Sequence, residues 1–244
     1  MAASACDLAA AAQTQLREQG IALLRSRFSI DSLNSLREAA VRCIEAVEAG
    51  QVLPERYQFN RYSNSVLLTA LTDFGCDPAE LTAPLCAPGL ESIFSQSMGD
   101  AWSCPLEHSW VRKKFAPVHA PAENYHLQDW HQDGALGVRF PESASDATAT
   151  LPMTQLLTCW IPLDACGVDS PGLELVRGPQ PGLLHFSELH DASIRRRFAP
   201  GQFWIPELEI GDALIFLNSV LHRTYTRPEM TRDRLSVEYR IFPG

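Results

Sequence analysis

The 244-residue sequence predicts a mainly β protein with flanking helices, a jelly-roll barrel or sandwich behind a helical N-terminal third. Two observations carry this. Apolar residues recur at helical spacing in the first part of the chain, residues 1–105. From residue 106 to 244 the pattern changes to short β-rich runs punctuated by Gly, Pro and Asp. With 45% hydrophobic and 20% charged residues the chain is long enough to bury a full core, and one domain over residues 1–244 is expected.

Residues 5–19 and 31–48 read as helices. The second has Ser29 or Asp31 as its cap and Leu33, Leu36, Ala40, Ile44 and Val47 on one face. Residues 20–24 between them read as a short strand. Pro78, Pro84, Pro88 and Gly89 divide residues 78–99 into short helices. The predicted strands then cover 109–115, 155–163, 173–176, 202–205, 213–217 and 235–242. Residues 141–150 form a small polar stretch that reads as a loop, with a lid over a site as its functional reading.

A net charge of -9 disfavours a nucleic-acid partner, which draws on clustered Lys and Arg to displace counterions, and no long basic run occurs. Seven cysteines, odd in number and without a CxxC pair, fit buried thiols in a reducing compartment. The alanine-rich N-terminus lacks a basic flank and is interrupted by Asp7. No segment approaches the ~20 apolar residues of a membrane span. A cytoplasmic protein without a membrane partner is expected, and the oligomeric state stays open.

The run Trp130-His131-Gln132-Asp133-Gly134 carries the most chemistry. On extended backbone, residues i and i+2 share a face, so His131 and Asp133 aim at a common point. A second histidine would complete a facial triad of two histidines and one carboxylate, a donor set that suits non-haem Fe(II) and leaves positions open for oxygen and a chelating cosubstrate. His222 is the choice for that ligand. It follows residues 211–216, a turn and apolar strand that would bring it to the barrel mouth, whereas His185 and His190 fall in loops. At the C-terminus Arg234, Ser236, Glu238 and Arg240 alternate with Leu235, Val237, Tyr239 and Ile241. In a barrel, the polar face of such a strand lines the cavity and the apolar face packs on the helices. Arg234, with the Ser236 hydroxyl two residues on, then offers a two-pronged grip on a carboxylate.

These residues together resemble the phytanoyl-CoA dioxygenase family, over most of the chain from Gln19-Gly20-Ile21 to the last strand. The resemblance implies a double-stranded β-helix (a cupin-like jelly roll) with His131, Asp133 and His222 as both metal ligands and catalytic centre. It implies Fe(II) as the metal, with 2-oxoglutarate and O2 as cosubstrates, and Arg234 with Ser236 on the far carboxylate of 2-oxoglutarate. Trp160, in the run from Thr158 to Leu163, resembles the family's strand tryptophan beside the cosubstrate; Gln128, three residues before His131, is a candidate hydrogen-bond partner of the cosubstrate or the substrate. Pro171-Gly172-Leu173 resembles the glycine-led strand that follows. Arg177-Gly178-Pro179-Gln180 departs from the usual proline-glycine-serine-histidine turn. The implied reaction oxidises a small molecule, releasing succinate and CO2. The carboxylate of Asp133, where related halogenases have a small residue, implies hydroxylation or a related oxidation.

Arg112 and Lys114, of equal parity before the metal motif, are candidate substrate contacts, as are Tyr125, Arg139 and Arg61. Two such cations in the pocket would favour an anionic substrate. A cupin-like metal enzyme that does not use 2-oxoglutarate and a non-catalytic metabolite-binding relative are the alternatives. Arg234 with Ser236 counts against the first, and the intact triad against the second.

Overall fold

The computed structural model describes residues 5–52, 64–121, 125–142, 151–178 and 180–244. Arg61 and residues 143–150 of the expected loop lie outside the described residues. In chain order the elements are α1 (Ala5–Gln19), β1 (Ile21–Leu24), α2 (Ile30–Glu48), β2 (Ser65–Leu67), α3 (Pro78–Thr82), α4 (Leu90–Met98), β3 (Trp110–Lys114), β4 (Leu157–Pro162), β5 (Gly172–Val176), α5 (Asp191–Arg197), β6 (Phe203–Trp204), β7 (Ala213–Leu217), β8 (His222–Tyr225) and β9 (Arg234–Ile241).

Of the two candidate caps on α2, Ser29 is the one used: its hydroxyl accepts from the Ser32 N–H, while Asp31 stands in the first turn, where a negative charge meets the helix N-terminus favourably. The prolines divide residues 78–99 as expected. Asp77 caps α3 in a reciprocal box with Glu80, and Gly89, in the left-handed region, starts α4. The segment 65–67 was not read as a strand from the sequence, because three residues show no usable alternation. It becomes β2 by pairing with β3.

The larger sheet has the order β1-β7-β4-β9-β3-β2 with every pairing antiparallel, and the smaller sheet has the order β6-β5-β8. An isolated antiparallel bridge between His131 and His222 adds the metal motif to the open edge of β8. The two sheets form the double-stranded β-helix.

Strand β9 is buried along its whole length, and its alternation runs opposite to that of an ordinary sandwich strand. Leu235, Val237, Tyr239 and Ile241 face outward into one cluster with Leu33, Leu36 and Ile44 of α2 and Ile93 and Phe94 of α4. The Tyr239 hydroxyl donates to the Leu81 carbonyl (2.7 Å). The polar residues face inward. The helical layer therefore removes the outer face of the large sheet from water and leaves the barrel interior to charged chemistry. A second cluster containing Trp160, Leu173, Leu214 and Phe216 closes one end of the space between the sheets. Cys43, Cys76, Cys159 and Cys166 are buried free thiols, and burial pushes Cys43 up to about 12. Among the described residues no helix is long and apolar enough to cross a membrane.

The turn before β7 shows where the backbone is most demanding. Gly211 has φ +100°, its carbonyl accepts from the N–H groups of Arg27 and Phe28, and a Cβ there would sit 2.6 Å from the Phe28 carbonyl oxygen. Asp212 ties the same turn together by accepting from the N–H groups of Ser26 and Glu209 and from Arg25. Gly211→Ala is expected to cost about 1–3 kcal/mol, from a side chain in the left-handed region and the clash together. Urea denaturation should show a lower midpoint at unchanged slope.

Candidate metal centre

His131 and His222 meet because their backbones pair. Each N–H donates to the other's carbonyl at 3.0 Å, and residues directly opposed in an antiparallel bridge project side chains to the same face. The two rings stand 4.0 Å apart, centroid to centroid. Gln132 is extended (φ -127°, ψ 129°), so Asp133 returns to the face of His131. The local geometry differs from the strand expected over this motif. Only His131 is bridged, and Asp133 opens a 3-10 turn, Asp133–Ala135, because Gly134 N–H bonds to the Asn218 carbonyl and draws the chain away from the sheet. His222 likewise does not follow directly from β7. A turn over 218–221 intervenes, and the histidine opens β8, a strand of the other sheet that is too short to read from sequence.

The remaining residues of the motif anchor it from behind. Gln132 donates to the carbonyls of Gly182 (3.1 Å) and Ser219 (2.8 Å) and accepts from Leu184 N–H (2.7 Å), fixing the motif to both flanking loops. The Trp130 indole donates to Asp191 (3.0 Å) and carries the Arg223 guanidinium 4.8 Å over its ring. Arg195 and Arg223 also share Glu174, so α5 is tied to the small sheet through ions that surround the motif.

The ligand atoms are set up for a cation. His131 Nδ1 lies 2.7 Å from the Asp129 carbonyl and His222 Nδ1 3.1 Å from that of Val220. Both rings donate there, and the lone pairs fall on Nε2. The two Nε2 atoms stand 3.9 and 3.8 Å from Asp133 Oδ1. Burial, with the neighbouring His222 ring adding to it, pushes His131 down to about 3, so the imidazole is neutral as a ligand must be. Burial alone would raise Asp133, but Arg240 and His222 hold it below its ordinary value and therefore charged. The amide of Gln128 meets His131 Nε2 at 2.8 Å, and metal ligation at this nitrogen requires that amide to swing aside.

Asp133 Oδ2 is taken by protein groups: it accepts from the Thr158 hydroxyl (2.6 Å) and from Arg240 (2.5 Å). Arg240 also pairs with Glu238, and Glu238 with Arg112 (2.9 Å). Burial opposes the charge on Glu238, yet Arg112 and Arg240 hold it well below the usual carboxylate range. Sequence reasoning placed Glu238 and Arg240 on the polar face of β9 but gave them no role, and it missed Thr158. The available signal was parity. Thr158 shares a face with Trp160 in a strand that is otherwise apolar, and the register sets it opposite Arg240.

One cleft is lined by the two histidines of the triad together with, among others, Arg112, Lys114, Gln128, Trp160, Arg234 and Glu238. Arg234 is 1% exposed; it donates to the Pro171 carbonyl (3.0 Å) and to Ser236, and its guanidinium lies 5.0 Å over the Trp160 ring. Lys114 is its cross-strand partner and is fully buried. Burial, then Arg112 and Arg234, push the ammonium down to about 6. Tyr125 accepts from the Phe115 N–H through its hydroxyl and lies with its ring near Lys114. The structure places Arg139 on the exposed surface, outside the residues lining the cleft. Arg232, the neighbouring arginine, is also exposed and paired with Asp169.

Two imidazole nitrogens and one carboxylate oxygen, all within 4.8 Å of one another, fit a divalent ion of the non-haem iron type. The fold and this donor set define a cupin-like jelly-roll protein with a facial-triad metal site. The phytanoyl-CoA dioxygenase (PhyH) family model matches residues 16–228, and the chain belongs to that family, an oxygenase family. Solved structures with the same fold include the non-heme alpha-ketoglutarate-dependent carbocyclase SnoK from nogalamycin biosynthesis (TM-score 0.66, 16% identity, 100% of this chain and 87% of that one). Others are EctD from S. alaskensis with bound Fe (0.68, 16%, 94% and 75%) and AviO1 from Streptomyces viridochromogenes Tue57 (0.63, 16%, 99% and 96%). A search of curated proteins finds no match by sequence.

His222→Gln is expected to weaken divalent-metal binding by more than the ~10–100-fold that changes to outer-shell partners cost. Anaerobic Fe(II) titration checks this, and near-wild-type affinity would remove His222 from the ligand set.

Proposed function

We propose that the chain is an Fe(II)- and 2-oxoglutarate-dependent dioxygenase acting on a small molecule, with His131, Asp133 and His222 as iron ligands and Arg234 with Ser236 holding the distal carboxylate of 2-oxoglutarate. The observation that carries this reading is the state of Arg234. The cleft's other guanidiniums, on Arg112 and Arg223, each have a carboxylate, as does Arg240 at Asp133; among the described residues Arg234 has none, although it is the most deeply buried of the four. A buried cation without an anion is costly, and a carboxylate ligand relieves it. The bound forms of a structural relative point the same way, since EctD from S. alaskensis is solved with 2-oxoglutarate and 5-hydroxyectoine.

Iron bound at the triad would supply oxidative decarboxylation of 2-oxoglutarate to succinate and CO2, coupled to oxidation of a substrate C–H bond. The chain's own part is placement. The Trp160 ring lies against the Arg234 guanidinium and limits its movement, and Trp160 is itself fixed in the buried cluster with Leu173 and Phe216. We assign Lys114 to the cosubstrate end as well, because it stands across from Arg234 in the β3–β9 pairing. Arg112 reaches the cleft already neutralised by Glu238, so an anionic substrate draws less support from it than the sequence suggested. Gln128, on the triad's open side, is the candidate to meet the substrate.

Anaerobic addition of 2-oxoglutarate to the Fe(II)-loaded protein should produce the weak visible charge-transfer band of a chelated keto acid, and a wild-type protein with no such band would sink the cosubstrate assignment. Arg234→Ala should keep iron but weaken 2-oxoglutarate binding by ten-fold or more, in line with a lost charge-assisted pair of about 1.5–3 kcal/mol. Asp133→Ala should abolish succinate formation.

Lys114 adds a pH signature. Before cosubstrate binds, burial with Arg112 and Arg234 beside it holds its ammonium down to about 6, while Glu238 opposes that shift and the Tyr125 ring lies near it. A bound dianion favours the ammonium and raises that value, so binding takes up a proton above pH 6, and affinity for 2-oxoglutarate falls as pH rises until the value in the complex is reached. Calorimetry at pH 7.5 in buffers of different ionisation enthalpy should report uptake approaching one proton in wild type and none in Lys114→Met.

A further inference from the structure

We infer that Arg240, acting with Thr158, is a positioning residue that holds Asp133 to metal ligation through one oxygen only. This rests on the metal-centre reading proposed above and concerns how the chain presents its carboxylate.

The arrangement follows from strand register. In the β4–β9 pairing Thr158 stands opposite Arg240, and both side chains enter the barrel on the face shared by Trp160 and Glu238. One Arg240 nitrogen donates to Asp133 Oδ2 (2.5 Å) and to the Thr158 oxygen (2.8 Å), while the Thr158 hydroxyl donates to the same Oδ2 (2.6 Å). A carboxylate oxygen offers two lone pairs in the carboxylate plane, and Oδ2 has both engaged. Oδ1 is the atom turned to the two imidazole Nε2 atoms.

The guanidinium is itself held. Arg240 pairs with Glu238, Glu238 with Arg112, and the sequence of charges Asp133, Arg240, Glu238, Arg112 alternates through the interior. Moving Arg240 would uncover two buried carboxylates at once, which the low-dielectric interior opposes. A carboxylate free to turn can chelate with both oxygens and occupy a further coordination position. Held to one oxygen, it would leave more of the coordination sphere of an ion at His131, Asp133 and His222 for a chelating keto acid and for oxygen together. Arg240 touches neither a ligand nitrogen nor the cosubstrate end of the cleft, so its effect passes through Asp133.

The test compares wild type with Arg240→Met, Arg240→Lys and Thr158→Val, each loaded anaerobically with saturating Fe(II) and titrated with 2-oxoglutarate while the visible charge-transfer band is followed. Arg240→Met should weaken 2-oxoglutarate binding at saturating iron by about ten-fold or more, the scale of outer-shell changes, and shift the band maximum. Arg240→Lys, which keeps a donor and the charge, should recover most of both. Thr158→Val keeps the cation but frees one lone pair of Oδ2, and should shift the band in the same direction by less. Affinity within two-fold of wild type and an unmoved band in Arg240→Met would overturn the inference. If that variant does not fold, an unmoved band and unchanged affinity in Thr158→Val overturn it instead. A wild-type protein without any band fails differently, by removing the cosubstrate site itself.

Discussion

Two reciprocal backbone hydrogen bonds between His131 and His222 are the joint on which the rest of the molecule depends. They attach a segment with almost no regular structure of its own to the free edge of β8. In doing so they bring two imidazoles from positions 91 residues apart to the same side of the small sheet. Everything around that joint restrains it. Gln132 bonds three backbone groups behind it, and Trp130 locks onto α5 through Asp191 and the stacked Arg223. The Nδ1 atoms spend their protons on carbonyls, which leaves Nε2 for the centre. A ligand set built on loops gains its precision from such second contacts, since the loops alone would leave each ring free to rotate.

Strand β9 supplies the other half of the site by reversing the usual sense of amphipathicity. Its apolar side is covered by α2 and α4, so its polar side can be spent on the interior, where each charge must be accounted for. Glu238 answers Arg112 and Arg240, and Arg240 answers Asp133. Arg234 alone among these guanidiniums is answered by no acid of the described chain, and Lys114 beside it is driven towards neutrality by burial and by its cationic neighbours. The interior is thus compensated at its triad end and positive at the other, a polarity that matches a ligand with a metal-chelating head and a carboxylate tail.

The first helices, their breaks and seven of the nine strands among the described residues were legible because each has a local cause: a capping serine, a proline, or an unbroken β-rich run. The strands β2 and β8 were not, because three or four residues carry no period, and they exist only through the partners they meet. The residues of the centre could be named because histidine, carboxylate and arginine are few, and the spacing of His131 and Asp133 restricts how they can point. Thr158 and Arg240 escaped notice for the opposite reason. A threonine in an apolar strand and a second arginine on a polar face have ordinary structural explanations until the register sets them across from each other.

By itself, then, the chain's sequence determined which side chains could bind metal and carboxylate, and which face of its last strand was polar, since composition and alternation are local properties. The tertiary structure alone decided that this polar face is interior, that Asp133 Oδ2 is bound by Thr158 and Arg240, and that Arg112 arrives already paired with a carboxylate while Arg234, among the described residues, does not. Those are questions of what stands opposite what, and an antiparallel sheet answers them only when its strands, distant in sequence, come into register.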